Sequence, residues 1–209
     1  MASLTRNFPF TSLRGGVADE AIQPYDAAAG LLRFARNDEN KKETPMTALF
    51  TAGQPLECPL RKVEKQWVDF NGHLNMAYYH VLFDESLDVA FTGLGIGWDY
   101  TKQGEGSCFT AEVHVCYLDE LKEGDPVRIT YQLLDADEKR IHVFGHMYHA
   151  EKGYLAATSE QMCIHVDMKS RRASPFPDMQ MGRIAELMKA HEGMTRPEQA
   201  GRVIGIKRK

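Results

Sequence analysis

The chain has 209 residues, 43% of them hydrophobic and 26% charged, enough for one domain with a proper core and too few for two large ones. A formal charge of -4 and a pI near 6.1 exclude the basic stripe on which nucleic-acid binding depends. No stretch approaches the roughly 18 apolar residues of a membrane span.

Residues 1–55 differ from the rest. Six Lys/Arg balance six Asp/Glu there, and no strand alternation is visible. Residues 26–36 have the pattern of a short amphipathic helix. The first 30 residues lack the apolar core of a secretory signal, and Asp19, Glu20 and Asp26 are out of keeping with a transit peptide. The expectation is a disordered extension or a misplaced start, with Met46, after Asn40-Lys41-Lys42-Glu43-Thr44-Pro45, as the initiator. A peptide from residues 1–45 in the native protein would overturn that reading. The expected organisation is this arm, a folded domain over residues 56–178, and a C-terminal helix and tail over residues 179–209.

From residue 61 the pattern is regular. Residues 61–68 read as a strand with Val63, Lys65 and Trp67 on one side. Residues 75–92 carry helical periodicity through Ala77, Tyr78, Val81, Leu82, Leu87 and Phe91, and Gly93, Gly95 and Gly97 end the helix. Residues 107–118 alternate, with Phe109, Ala111, Val113, Val115 and Tyr117 on one face. Strands follow over residues 126–134, 141–150 and 155–168, and a last helix over 179–190 after Pro175 and Pro177. Strand, long helix and four antiparallel strands make an α+β layer pair, a curved five-stranded sheet covering one helix.

Chemistry concentrates between the first strand and the helix, in Trp67-Val68-Asp69-Phe70-Asn71-Gly72-His73-Leu74-Asn75. Gly72 permits a tight turn, and Asn75 is a good N-cap. The first helical amides offer unpaired N–H groups to an oxyanion. A carboxylate beside them can attack a thioester or activate water. On these residues alone, Asp69 and Asn75 could equally be capping groups.

The segment resembles the 4-hydroxybenzoyl-CoA thioesterase family of hotdog-fold proteins, whose pattern is Asp-x-x-Gly-His-x-Asn before an aromatic-rich helix. Asp69, Gly72, His73 and Asn75 match it, with Tyr78 and Tyr79 on the helix. The strand order agrees, so the resemblance covers about residues 58–178. It implies a hotdog fold and an acyl-CoA thioesterase with Asp69 as nucleophile or general base. It also implies a carbonyl polarised by the amides around Gly72 to Asn75, coenzyme A bound where subunits of a homodimer or tetramer meet, and no metal or other cofactor. His73 either orients substrate or Asp69, or packs under the helix; Asn71 either bonds substrate or serves the turn. Hotdog dehydratases carry His followed by Pro-Gly in their signature, whereas Leu74-Asn75 follows His73 here. A non-catalytic acyl-CoA sensor would carry a DNA-binding segment, of which the first 55 residues show no sign.

Other candidates are less determined. Arg171 and Arg172, at the last strand's exit, suit coenzyme A phosphates or plain solvation. Alternation puts His142 and His146 on one face and His149 on the other, which leaves no metal set. The scattered cysteines 58, 108, 116 and 163 read as reduced thiols of a cytoplasmic protein. Trp67, Trp98, Tyr100 and Phe109 are candidates for an acyl pocket. The Trp98-Asp99-Tyr100 segment and the residue 171–177 ending also resemble thioesterases linked to carnitine breakdown, which act on betainyl-CoA. An aromatic cage would suit that cation, assisted by Asp84, Glu85 or Asp88 should they face inward rather than into solvent.

Overall fold

The computed structural model describes residues 50–104 and 106–206; the expectations for residues 26–36 and for Met46 lie outside them. Two short strands, β1 (Leu56–Glu57) and β2 (Arg61–Lys62), precede the long helix α1 (Met76–Leu94) and the five-residue helix α2 (Trp98–Lys102). Four long strands follow, β3 (Gly106–Tyr117), β4 (Pro126–Ala136), β5 (Arg140–His149) and β6 (Leu155–Asp167), then β7 (Arg172–Ala173) and helix α3 (Asp178–His191). The antiparallel sheet runs β1-β4-β5-β6-β3, with β2 also on β4 and β7 on β6. This is the α+β hotdog arrangement, a sheet around one helix.

Helix α1 forms because its apolar residues recur at three- and four-residue spacing. Tyr79, Leu82, Phe83, Ser86, Leu87, Phe91 and Leu94 are buried on one side. The sheet receives that side through cross-strand rows such as Val113–Gln161–Val143–Leu133 and Val115–Ser159–Gly145–Tyr131. Gly145 is required where the helix packs tightly on the sheet: a Cβ there would lie 2.7 Å from Tyr131 and 3.1 Å from the Phe83 ring. The Tyr131 hydroxyl, fully buried, donates to the Phe83 carbonyl at 2.6 Å. Helix α3 adds Ile184 and Leu187 to the core, and Gln180 donates to the carbonyl of Gly95.

Three local readings are corrected. Only Arg61–Lys62 of residues 61–68 is strand, because the chain turns inward at Val63, whose amide bonds Asp125, and winds into a 3₁₀ turn over Lys65–Trp67. Val63 and Trp67 are therefore buried while Lys65 is exposed, a spacing of four rather than two. In β3 a bulge at Ala111 breaks the alternation. Thr110, Val113, Val115 and Tyr117 share the helix-facing side, and Phe109 points to the other. Helix α2 was missed, being too short to show a period. Among the described residues no helix is long and apolar enough to cross a membrane.

Candidate active site

The loop before α1 is tied off by its own backbone. Val68 bridges Leu74, the Asp69 amide donates to the His73 carbonyl at 2.9 Å, and the Gly72 amide to the Asp69 carbonyl at 3.0 Å. Gly72 has φ 80°, the left-handed region that glycine enters without a Cβ penalty. Asn75 caps α1, its Oδ1 accepting from the Ala77 amide at 2.9 Å and its own amide donating to Trp67. The Leu74 amide donates to Leu121 at 2.7 Å, binding the loop to the β3–β4 connection.

These bonds revise the expected carbonyl-polarising amides. Gly72, Leu74 and Asn75 all donate to backbone carbonyls, and the His73 amide faces Asp69. What remains to polarise a carbonyl is the positive end of the 19-residue helix itself. Asp69, half-buried, receives the Asn71 amide at 2.8 Å and the Asn71 side-chain amide at 3.4 Å. Those donors, the backbone amide foremost, hold its carboxyl below the usual carboxylate range, so it is ionised near neutrality.

Asp69 opens onto a cavity of about 340 Å³ bounded also by His73, Tyr79, Tyr117, Asp119 and Glu120. His73 reaches Glu120 at 3.0 Å and so ties the loop to the β3–β4 connection. Tyr79 and Tyr117 meet edge to face, ring centroids 5.1 Å apart; Tyr79 is buried and Tyr117 is 45% exposed. Burial pushes both phenols up, Tyr79 to about 12, so both stay neutral. Sequence reasoning missed Tyr117, Asp119 and Glu120. Tyr117 reads in the sequence only as an alternating strand residue, and nothing in the pattern marks the two acids that follow it.

The remaining predicted residues scatter. Asn71 serves the turn and Asp69 together. Trp67 is buried and stacked on Tyr78 at 5.6 Å, a core filler. Trp98 is 73% exposed on α2, Tyr100 bonds His165 at 2.9 Å, and Phe109 lies on the sheet's other face with the Arg171 guanidinium 5.5 Å above its ring. No common acyl pocket forms from them. Asp84, Glu85 and Asp88 sit farther along α1, with Glu85 paired to Arg61. Arg171 and Arg172 lie beside the Gly106 end of β3, and Asp69 beside its Tyr117 end, about 30 Å away along the strand. His142 pairs with Glu160 at 2.8 Å, and His149 lies 3.3 Å from Asp125.

The sequence model of the Thioesterase-like superfamily matches residues 63–184. A Pseudomonas aeruginosa protein named betainyl-CoA thioesterase is 38% identical over 141 residues, 68% of this chain and 89% of that protein. A Rhizobium meliloti protein named L-carnitine dehydrogenase/betainyl-CoA thioesterase is 36% identical over 191 residues, 91% of this chain; the chain spans only 38% of that relative's length. A Staphylococcus aureus protein solved in complex with CoA superposes with a TM-score of 0.70 at 30% identity, covering 75% of this chain and 98% of that one. A putative thioesterase from Pseudomonas putida KT2440 superposes with a TM-score of 0.65 at 33% identity, covering 74% and 99%.

Proposed function

Since the chain belongs to the thioesterase-like superfamily, we propose that it hydrolyses an acyl-CoA to the free acid and coenzyme A, with betainyl-CoA as substrate. The observation that carries the reading is Asp69, an ionised carboxylate at a cavity beside the positive end of α1. Ionised, that carboxylate is able to attack a thioester directly, and we assign it the role of nucleophile. An Asp69 oxygen adds to the thioester carbonyl, the C–S bond breaks, and coenzyme A departs as the thiolate. Water then hydrolyses the mixed anhydride, restoring Asp69. No metal or redox group takes part. The betainyl assignment is supported by the names of the Pseudomonas and Rhizobium relatives.

Thiol release from betainyl-, acetyl- and octanoyl-CoA tests the reading, run beside Asp69→Asn and Asp69→Ala. Both variants are expected to lose at least about a thousandfold in kcat/KM. Undiminished turnover in both would remove Asp69 from the mechanism, and no release from any substrate by the wild type would remove the activity. Equal rates on the three substrates would reject betainyl specificity.

Self-association fits the same site. Among the described residues β3 is a 12-residue edge strand, bonded only to β6, with Phe109, Val113 and Tyr117 exposed. Such an edge invites pairing. Antiparallel pairing with β3 of a second copy would lay its Gly106 end against the Tyr117 end, bringing one copy's Arg171 and Arg172 toward the other's Asp69 and the phosphates of its coenzyme A. We therefore assign a homodimer, and sedimentation as a monomer at micromolar concentration would overturn it. The four cysteines, all unpaired, suit the cytoplasm, which cell fractionation reads.

A further inference from the structure

We propose that Tyr117 and Asp119 select a cationic acyl group, Tyr117 through its ring face and Asp119 as counter-ion; the inference rests on the thioesterase reading above.

The charge of such a substrate lies at a fixed distance from the reacting carbonyl. In a trimethylammonioacetyl thioester the cation is one methylene from the carbonyl that Asp69 attacks. Its recognition groups must therefore border Asp69. The acids Asp84, Glu85 and Asp88 fail this condition. Asp84, the nearest of the three, is eight residues beyond Met76 on α1, about 12 Å at the helical rise. Trp98 and Phe109 fail it too, one on the surface of α2 and one on the far face of the sheet.

The cavity at Asp69 meets it. Among the described residues no lysine or arginine lines that cavity, while three carboxylates and two tyrosines do. Two of the carboxylates are already engaged: Asp69 by Asn71, and Glu120 by His73. Asp119 is different. Its Oδ1 accepts the Glu120 amide at 2.8 Å, which fixes the group, and no cation pairs with it among the described residues. The Tyr117 ring is held from behind, edge to face with buried Tyr79, and its hydroxyl reaches the Met76 carbonyl at 3.5 Å. That leaves it 45% exposed. Within one copy, a fixed aromatic ring beside a carboxylate that no basic side chain of the same chain pairs, among the described residues, is the arrangement that a quaternary ammonium seeks, having no N–H to donate and a diffuse charge to place over a π face.

The test compares kcat/KM for betainyl-CoA with that for 3,3-dimethylbutanoyl-CoA, which replaces the quaternary nitrogen by carbon and keeps the shape. The wild type is expected to favour the cation at least tenfold. Tyr117→Leu and Asp119→Asn are each expected to lower that ratio about tenfold, while Tyr117→Phe, which keeps the ring, preserves it. A variant that merely folds poorly loses both rates together and leaves the ratio unchanged. An unchanged ratio in Tyr117→Leu and Asp119→Asn overturns the assignment, as does a wild type that hydrolyses both substrates equally. Neither result touches the thioesterase reading, which fails only if no acyl-CoA releases thiol.

Discussion

The two ends of α1 are built on opposite principles. At the N-terminal end, loop and cap bond to themselves, and the space beyond is left open as the cavity of Asp69. At the C-terminal end the chain closes tightly: Gly95 caps the helix at φ 75°, and Gly97 packs against Thr92. Glycine marks both ends for different reasons. A Cβ on Gly72 would meet nothing within 4 Å, whereas one on Gly97 would lie 2.5 Å from Thr92 Oγ1 and 2.9 Å from its backbone. One end spends its residues on shape around a void, the other on excluding one. Reactive chemistry needs the first kind of end, because a substrate cannot enter the second.

The two ends differ most in what those two glycines tolerate. Gly97→Ala forces a methyl against backbone that cannot move aside, and we expect a cost of about 2–3 kcal/mol. That corresponds to a fall in Tm of roughly 5–10 °C for a chain of this size. Gly72→Ala meets no atom and bears only the left-handed backbone penalty, about 1 kcal/mol. Equal losses in thermal denaturation would mean that the two ends do not differ in packing as described.

Asn75 comes next in size. Its side chain caps the open end, accepting the Ala77 amide. Asn75→Ala should cost about 1 kcal/mol, and Asn75→Asp, which keeps the acceptor and adds a negative charge at the helix's positive end, should recover it. If the aspartate variant melts as low as the alanine variant, the cap is not what secures this end.

How much of this was legible beforehand differs between the two ends as well. The open end was readable because its devices are local: an N-cap, a turn glycine and a motif compressed into residues 69–75. The long strands were readable from alternation, with boundaries off by one or two residues. Long-range closure was not. Tyr117, Asp119 and Glu120 reach Asp69 only because the β3–β4 connection folds back over the loop, through bonds such as Leu74 to Leu121, and no spacing encodes that. Phe109 was misplaced because a single bulged residue inverts every side chain before it. Trp67 and Trp98 share a residue type and not an environment, one in the core and one on the surface, and composition cannot separate them.

The smallest expected effect lies in the half of α1 that leads to its closed end. Asp88 carries no ion pair among the described residues, and its carbonyl accepts the Thr92 hydroxyl at 2.9 Å. Although the residue surface is exposed, the carboxylate is partly desolvated, and that burial, with Asp84 and Glu85 adding repulsion, pushes it up from 3.8 to about 6. The direction sets the pH dependence. A raised pKa means that the native state binds this proton more tightly than the unfolded chain does. The ionised group therefore costs stability above pH 6, and the cost fades as pH falls from about 6 toward 3.8. Asp88→Asn should raise Tm at pH 8 by about 1–2 °C, solvent screening keeping the gain small, and by progressively less below pH 6. A gain of the same size at pH 8 and pH 4.5 would assign it to helix propensity or packing and not to charge. The closed end would then carry no electrostatic strain, and its contrast with the open end would rest on packing alone.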